Sequence, residues 1–273
     1  MQSPTPPEQT APRPRLLVAV VGTGTEVGKT WVCARVIERL RHGGSTGRAG
    51  NGDPGGARPG CPGSTGHGDS TPTSTNAGRV TVSVRKPLQS QDPASAEPTD
   101  AEVLAAASGE SPETVCAPDR SFAAAMAPPM AADLLGLNIP TTADLIGGLG
   151  WAEGTQVGIV ETVGGVRSPL GADGDSRDLV FALGADVTVL VADAELGVID
   201  AVRKSADSLA PITPLVFLNR FDPHDDLHRR NRAWLTERDS LDVLVHAHEL
   251  ADRLRKQSRA LDCCALHSYA ANP

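Results

Sequence analysis

The chain has 273 residues, and its 33 acidic against 25 basic side chains give a formal net charge of -8. This negative charge argues against nucleic acid or an anionic membrane as the main partner, because both are negatively charged themselves. No apolar run approaches the roughly 20 residues of a bilayer-spanning helix, and no secretory signal pattern is present. The five cysteines include no C-x-x-C pair, so we expect a cytoplasmic protein whose partners are small molecules.

Two segments are predicted to lie outside the folded core. Residues 1–14 contain five prolines, and residues 43–78 consist mostly of Gly, Ser, Thr, Pro and Asn. Such compositions cannot bury enough apolar area to offset the entropy of ordering the chain. We therefore expect a disordered tail over 1–14 and a single domain over 15–273, with a flexible insertion at about 43–78 that acts as a passive surface loop.

Short apolar runs alternate with helical patterns along the rest of the chain. The runs are β-rich and bounded by turn residues, as is typical of buried parallel strands. This alternation predicts an α/β fold, an open parallel sheet with helices on both faces and ligands at the carboxyl ends of the strands. Strands are predicted at 16–21, 80–84, 157–160, 187–192 and 215–218, and helices at 29–40, 101–107, 199–209 and 246–256.

The turn after the first strand has the pattern of a phosphate-binding loop. Residues 22–30 read GTGTEVGKT, a variant in which Thr23 occupies the place of the usual first glycine. In such a loop the backbone N–H groups point at phosphate oxygens, Lys29 reaches the β- and γ-phosphates, and Thr30 places its hydroxyl on magnesium. The alternative is a glycine-rich turn with a chance Lys-Thr pair, but the coincidence of strand, loop and helix favours phosphate binding. Together with the parallel sheet, this loop predicts a fold of the P-loop NTPase type.

Two carboxylates stand where a P-loop protein needs oxygen ligands for its metal. Glu161 follows the buried run 157–160, and glycines shortly after it would allow a ligand to approach the backbone. Asp100 opens a predicted helix. The alternatives are that Glu161 caps the next turn and that Asp100 is a first-turn residue favoured by the helix dipole.

A second lysine, Lys86, follows the strand predicted at 80–84 and precedes Pro87. A cation fixed at this end of the sheet suits a substrate that carries or acquires negative charge. A solvent-facing lysine is the alternative, and composition alone favours it.

Taken together, these motifs resemble the dethiobiotin synthetase family, over about residues 16–220 without the insertion. The Thr-Glu-Val-Gly-Lys-Thr core at 25–30 is the most specific element. The other matching segments follow in family order: Lys86-Pro87 with Ser90, Thr99-Asp100, Ala127-Pro128, Glu161 with Gly164-Gly165, Pro169-Leu170, Leu196-Gly197 and Asn219.

The resemblance implies ATP-dependent carboxylation and ring closure of 7,8-diaminononanoate with CO2, by a homodimer that needs Mg²⁺. It implies that Lys86 and Lys29 are catalytic, that Ser90 and Glu26 lie near the diamine, and that Thr30, Asp100 and Glu161 hold the metal. The implied nucleotide site, with Asn219 as a base contact, comprises Glu26, Val27, Gly28, Lys29, Thr30, Trp31, Glu161, Gly164 and Asn219.

Four departures from the family pattern bear on substrate contacts more than on the nucleotide. Thr162 and Val163 stand where the family has Gly-Ala, Gln91 replaces a glycine, Pro129-Met130 replaces a polar residue, and Asp200 replaces an asparagine. The base is also left open, because residues 219–222 mimic the N-K-x-D pattern of guanine recognition; ATP is taken as the default.

Two alternative functions are kept. One is another ligase of the same P-loop branch, such as a glutamine-dependent cobyrinate amidase, although no Cys/His glutaminase section is present. The other is a MinD- or ParA-like nucleotide switch. Such switches usually carry an early second lysine where this chain has Gly24-Thr25, and the basic segment 246–256 lacks the sustained apolar face of a membrane anchor.

Overall fold

The structure, a computed structural model, describes residues 13–43 and 79–270, with the side chains of the last helix described as far as Leu261. Residues 1–12 of the predicted tail and 44–78 of the predicted insertion lie outside the described residues. Two residues at the end of the predicted tail, Arg13 and Pro14, are described and pack on the fold. The Arg13 guanidinium donates to the Gly184 carbonyl at 3.0 Å, and Pro14 is buried against Gly158.

Strands and helices alternate along the described residues. The strands are β1 (Leu16–Gly22), β2 (Val82–Arg85), β3 (Gln89–Ser90), β4 (Ser121–Phe122), β5 (Val157–Gly165), β6 (Val187–Asp193), β7 (Leu215–Asn219) and β8 (Val243–Leu244). The helices are α1 (Lys29–His42), α2 (Asp100–Ser108), α3 (Pro112–Val115), α4 (Pro128–Leu135), α5 (Thr142–Gly147), α6 (Ser176–Leu183), α7 (Val198–Leu209), α8 (Asp226–Glu237) and α9 (Ala247–Ala270).

The main sheet of the described residues has six parallel strands in the order β2-β5-β1-β6-β7-β8. The predicted α/β class with a parallel sheet is therefore confirmed. The register sets the site, because Val20 of β1 pairs with Glu161 of β5 and Arg85 of β2 pairs with Val160. Glu161 and Lys86 consequently meet at the end of the sheet where β1 gives way to the glycine loop.

Both faces of the sheet are covered, which explains the nearly continuous apolar strands. Along β1, Val18 and Val20 point into a core shared with α1, α2 and α9. Ala19 and Val21 point into the opposite core, shared with α4 to α8. Among the described residues, none of the helices combines the length and hydropathy that a bilayer crossing requires.

The sequence patterns missed the shorter elements and misplaced some ends. Strand β8 has two residues, too few for a periodic signal, and α4 begins with two prolines that look like a breaker although the first helical turn tolerates them. The last helix extends to Ala270, well beyond the predicted end at 256.

Candidate active site

The glycine loop lies between the end of β1 and the start of α1, as the sequence pattern predicts. Gly28 immediately precedes the helix with a φ of 87°, a left-handed conformation that favours glycine. A Cβ atom at this position would lie 2.1 Å from the amide nitrogen of Asn219. Only glycine therefore fits at the point where the loop passes β7 and turns into the helix.

Lys29, the first residue of α1, folds back over the loop. Its side chain is 7% exposed, and its ammonium donates to the carbonyls of Gly24 at 3.2 Å and Gly164 at 2.9 Å. Burial, followed by repulsion from the Lys86 ammonium, lowers the pKa of Lys29. The carbonyl of Gly164, one of the residues implied by the family resemblance, thus lies directly beside the P-loop lysine.

Thr30, Asp100 and Glu161 come together although they lie on three separate elements. The Thr30 hydroxyl is 2.8 Å from a carboxylate oxygen of Asp100 and 2.8 Å from one of Glu161. Asp100 is the first residue of α2, behind a capping box formed by Thr99 and Glu102. It is therefore a first-turn residue and at the same time faces the glycine loop.

These oxygens suit a magnesium ion, which prefers carboxylate and hydroxyl ligands. The second carboxylate oxygen of Glu161 is buried without a hydrogen-bond partner, so the site has unused acceptor capacity. Within the described residues, no cluster of three His, Cys, Asp or Glu side chains forms a metal site. The candidate ligand set is thus two carboxylates and one hydroxyl.

Lys86 lies in the middle of this cluster and is 2% exposed, so the solvent-facing alternative is wrong. Its ammonium is 2.6 Å from a carboxylate oxygen of Glu161 and 2.7 Å from one of Asp100. Burial disfavours the charged lysine, but the attraction of the two carboxylates outweighs burial and raises the pKa of Lys86. Glu161 is fully buried and does not cap a turn as the alternative held, because its contacts go to Thr30 and Lys86.

A cavity of about 810 Å³ opens in front of the glycine loop, a volume in the range of small-molecule sites. It brings together most of the site residues that were named from the sequence. Those that line it are Glu26, Gly28, Lys29, Thr30, Trp31, Lys86, Ser90, Asp100, Glu161 and Gly164.

Two of the named residues, Val27 and Asn219, stand behind the cavity rather than on its wall. The Asn219 side chain is 5% exposed, and its amide nitrogen donates to the Val27 carbonyl at 3.0 Å. The two β-branched departures from the family pattern also differ in position. Val163 lines the cavity, whereas Thr162 is fully buried in β5 and its carbonyl accepts from Lys86 at 3.3 Å.

Sequence reasoning assigned no role to Arg220, which also lines the cavity. It lies directly after β7 with a φ of 55°. Its guanidinium donates to the Glu26 carbonyl at 2.9 Å and pairs with the Asp193 carboxylate. The N-R-x-D pattern was the available signal, but a left-handed arginine that turns back to the glycine loop cannot be deduced from that pattern.

The parallel sheet, the glycine loop at the end of β1 and the buried lysine on α1 together define an α/β protein of the P-loop nucleotide-binding class. The chain is 35% identical over 178 residues to the ATP-dependent dethiobiotin synthetase of Anaeromyxobacter sp. (strain Fw109-5), a match that covers 62% of this chain and 78% of that protein. It is 30% identical over 222 residues to the protein of that name from Haloferax mediterranei, covering 80% of this chain and 78% of the relative. No family model matches the chain. These similarities show that the chain belongs to the ATP-dependent dethiobiotin synthetase family.

Proposed function

We propose that the protein carboxylates 7,8-diaminononanoate with CO2 and closes the ring to dethiobiotin, converting ATP to ADP and phosphate. The observation that carries this proposal is the pairing of Lys86 with Glu161 and Asp100 beside the P-loop lysine. The MinD- or ParA-like switches kept as an alternative usually take their second lysine from the phosphate loop itself, where this chain has Gly24-Thr25. A second buried cation on the same cavity, Lys86, suits an enzyme that must stabilise the negative charges of a phosphoryl group and an acidic substrate.

The nucleotide phosphates would lie on residues 27–30, with Lys29 against the β- and γ-phosphates. Thr30, Asp100 and Glu161 would hold Mg²⁺, which neutralises phosphate charge when bound. Trp31 and Gly164 would complete the nucleotide side of the cavity, and the base contact implied by the family resemblance would fall to Asn219. ATP is the proposed nucleotide, in line with the ATP dependence named for the relatives.

The proposed reaction has three balanced steps. One amine of the substrate forms an N–C bond to CO2 and loses a proton, which gives a carbamate. A carbamate oxygen then attacks the γ-phosphorus, and the bond from phosphorus to the departing ADP oxygen breaks. The second amine attacks the carbamoyl carbon, loses a proton and expels phosphate as the ring closes.

In this scheme the two lysines have different tasks. Lys29 holds the phosphates from the ground state onward, whereas Lys86 stabilises the negative charge on the carbamate and on the phosphoryl group in transfer. Glu26 and Ser90, on the cavity wall, would face the diamine. A cytoplasmic homodimer with the diamine near the subunit interface is part of the proposal.

The test is whether substrate drives nucleotide turnover. We expect 7,8-diaminononanoate with bicarbonate to accelerate ADP release strongly over the rate with ATP and Mg²⁺ alone. A diamine of equal chain length without the carboxylate provides the control for non-specific amine effects. A nucleotide switch would be indifferent to both compounds, and an unchanged rate with the substrate would overturn the proposal.

A further inference from the structure

Two consecutive residues at the end of β7 hold two consecutive carbonyls of the glycine loop. The Asn219 amide nitrogen donates to the Val27 carbonyl at 3.0 Å, and the Arg220 guanidinium donates to the Glu26 carbonyl at 2.9 Å. Both contacts join segments that are more than 190 residues apart in the chain. They are therefore specific tertiary contacts and do not follow from the local fold of the loop.

Holding a carbonyl also orients the N–H group of the same peptide unit. A trans peptide is planar, and its C=O and N–H point in opposite directions. Fixing the Glu26 carbonyl toward Arg220 therefore directs the Val27 N–H away from Arg220, and fixing the Val27 carbonyl toward Asn219 does the same for the Gly28 N–H. In a phosphate loop these N–H groups are the donors that bind phosphate oxygens.

The two residues that meet at this contact, Arg220 and Glu26, both have an unusual backbone conformation. Arg220 has a φ of 55° and Glu26 a φ of 59°, in a region that residues other than glycine rarely adopt. Such conformations persist where the surrounding contacts enforce them, and they cluster at functional sites. The enforcing contact here is Asp193 at the end of β6, whose carboxylate pairs with the Arg220 guanidinium and whose backbone pairs with Asn219 in the sheet.

We propose that Arg220, together with Asn219, is a positioning residue that presents the loop N–H groups to the nucleotide phosphates. Asp193 holds the arginine in place for this task. The proposal rests on the nucleotide site proposed above and assigns a role to a residue outside the P-loop motif. It predicts that loss of the arginine weakens phosphate recognition without weakening recognition of the nucleoside.

Arg220→Met keeps the length of the side chain and removes the guanidinium. We expect ADP and ATP affinity, measured by calorimetry, to fall about tenfold, the loss that corresponds to one net hydrogen bond of about 1.4 kcal/mol. Adenosine, which has no phosphate, should bind the variant and the wild type equally in a competition assay. The control is Arg203→Met, because Arg203 forms a comparable half-exposed ion pair with Asp239 away from the cavity; it should leave ADP affinity unchanged.

Asp193→Asn provides a second variant that keeps the arginine and removes the charge that anchors it. The same preferential loss of ADP over adenosine binding is expected, with a smaller amplitude. Equal losses of ADP and adenosine affinity in Arg220→Met would mean that the arginine contacts the nucleoside. Unchanged ADP affinity would mean that the arginine does not position the loop. Either result overturns this inference and leaves the proposed function standing. A wild-type protein that bound no ADP would overturn the proposed function and this inference with it.

Discussion

The Lys86 ammonium and the Glu161 carboxylate form an ion pair at 2.6 Å in which the two side chains are 2% and 0% exposed. A pair buried this deeply has little water to replace a missing partner. Removing one member of such a pair leaves an uncompensated charge in the interior, which typically costs about 3–5 kcal/mol. The Lys86–Glu161 pair thus contributes to the stability of the fold as well as to the charge distribution of the site.

Lys86→Met should accordingly destabilise the fold by about 3 kcal/mol in urea unfolding, because Glu161 loses its buried cation. The double variant Lys86→Met/Glu161→Gln should recover part of this loss. Lys204→Met is the matched control, since Lys204 pairs with Asp200 on the surface and should change stability by no more than about 0.5 kcal/mol. If the double variant lost as much stability as the sum of the losses in Lys86→Met and Glu161→Gln alone, the pairing would be contradicted.

Substitutions of the two buried lysines, Lys86 and Lys29, should have different effects on turnover and on nucleotide affinity. Lys86→Met should lower kcat by on the order of 10²-fold or more with little change in nucleotide affinity, because its task lies in the transition state. Lys29→Met should weaken nucleotide binding as well, and Lys29→Ala should abolish turnover. Calorimetry of ATP binding and diamine-dependent turnover would measure both effects. Near-normal turnover in Lys86→Met would exclude a catalytic role, and an equal loss of ATP affinity in both methionine variants would make Lys86 a second phosphate anchor.

Metal dependence should respond to the two carboxylates that flank Thr30. Glu161→Gln and Asp100→Asn should each raise the Mg²⁺ concentration needed for half-maximal turnover, because a neutral amide oxygen is a weaker ligand than a carboxylate. The Mg²⁺ titration should be run at saturating ATP. An unchanged titration curve in both variants would rule out the proposed ligand set.

The stability of the protein should depend on pH through Asp100. Burial disfavours its carboxylate, but the Lys86 ammonium and the hydrogen bonds from Lys86 and Thr30 outweigh burial and hold its pKa below the usual 3.8. A carboxyl whose pKa is lower in the folded state contributes stability above the usual pKa, and this contribution is lost as the pH falls through the folded value. The urea midpoints of wild type and Asp100→Asn should therefore differ by a constant amount above pH ~5 and converge only as the pH falls through the folded pKa, below 3.8. A difference that grew toward acid pH would contradict this sign.

The predicted insertion should be replaceable by a short link. The described residues on either side of it are adjacent, since the Val80 N–H donates to the Leu40 carbonyl at 3.0 Å and the Arg79 guanidinium to the Arg41 carbonyl at 2.9 Å. A short Gly-Ser link in place of 44–77 can bridge these ends at a small entropic cost. We expect the shortened protein to have nearly the stability and the turnover rate of the wild type. A clear loss of stability would show that the segment contributes to the fold, and a large fall in turnover would show that it contributes to the site.

Sequence patterns predicted the elements that carry long periodic signals and failed where the decisive contact is tertiary. The run 16–21 and the helix from Lys29 were predictable because apolar strand, glycine turn and amphipathic helix follow one another. The burial of Lys86 was not predictable from composition, which places lysines on surfaces, because the compensating charges come from Glu161 and Asp100 on other elements. Arg220 was missed for a related reason, since its role depends on a backbone conformation and on a carbonyl more than 190 residues away.

The most direct measurement of the central claim follows the product and its carbon source. Purified protein would be incubated with ATP, Mg²⁺, 7,8-diaminononanoate and ¹³C-bicarbonate, and the products analysed by mass spectrometry together with ADP. The proposal predicts dethiobiotin that carries one ¹³C atom, formed in equal amount to ADP, and no product with Lys29→Ala. ADP formation without labelled dethiobiotin would contradict the proposed reaction and assign the phosphate loop to a different task.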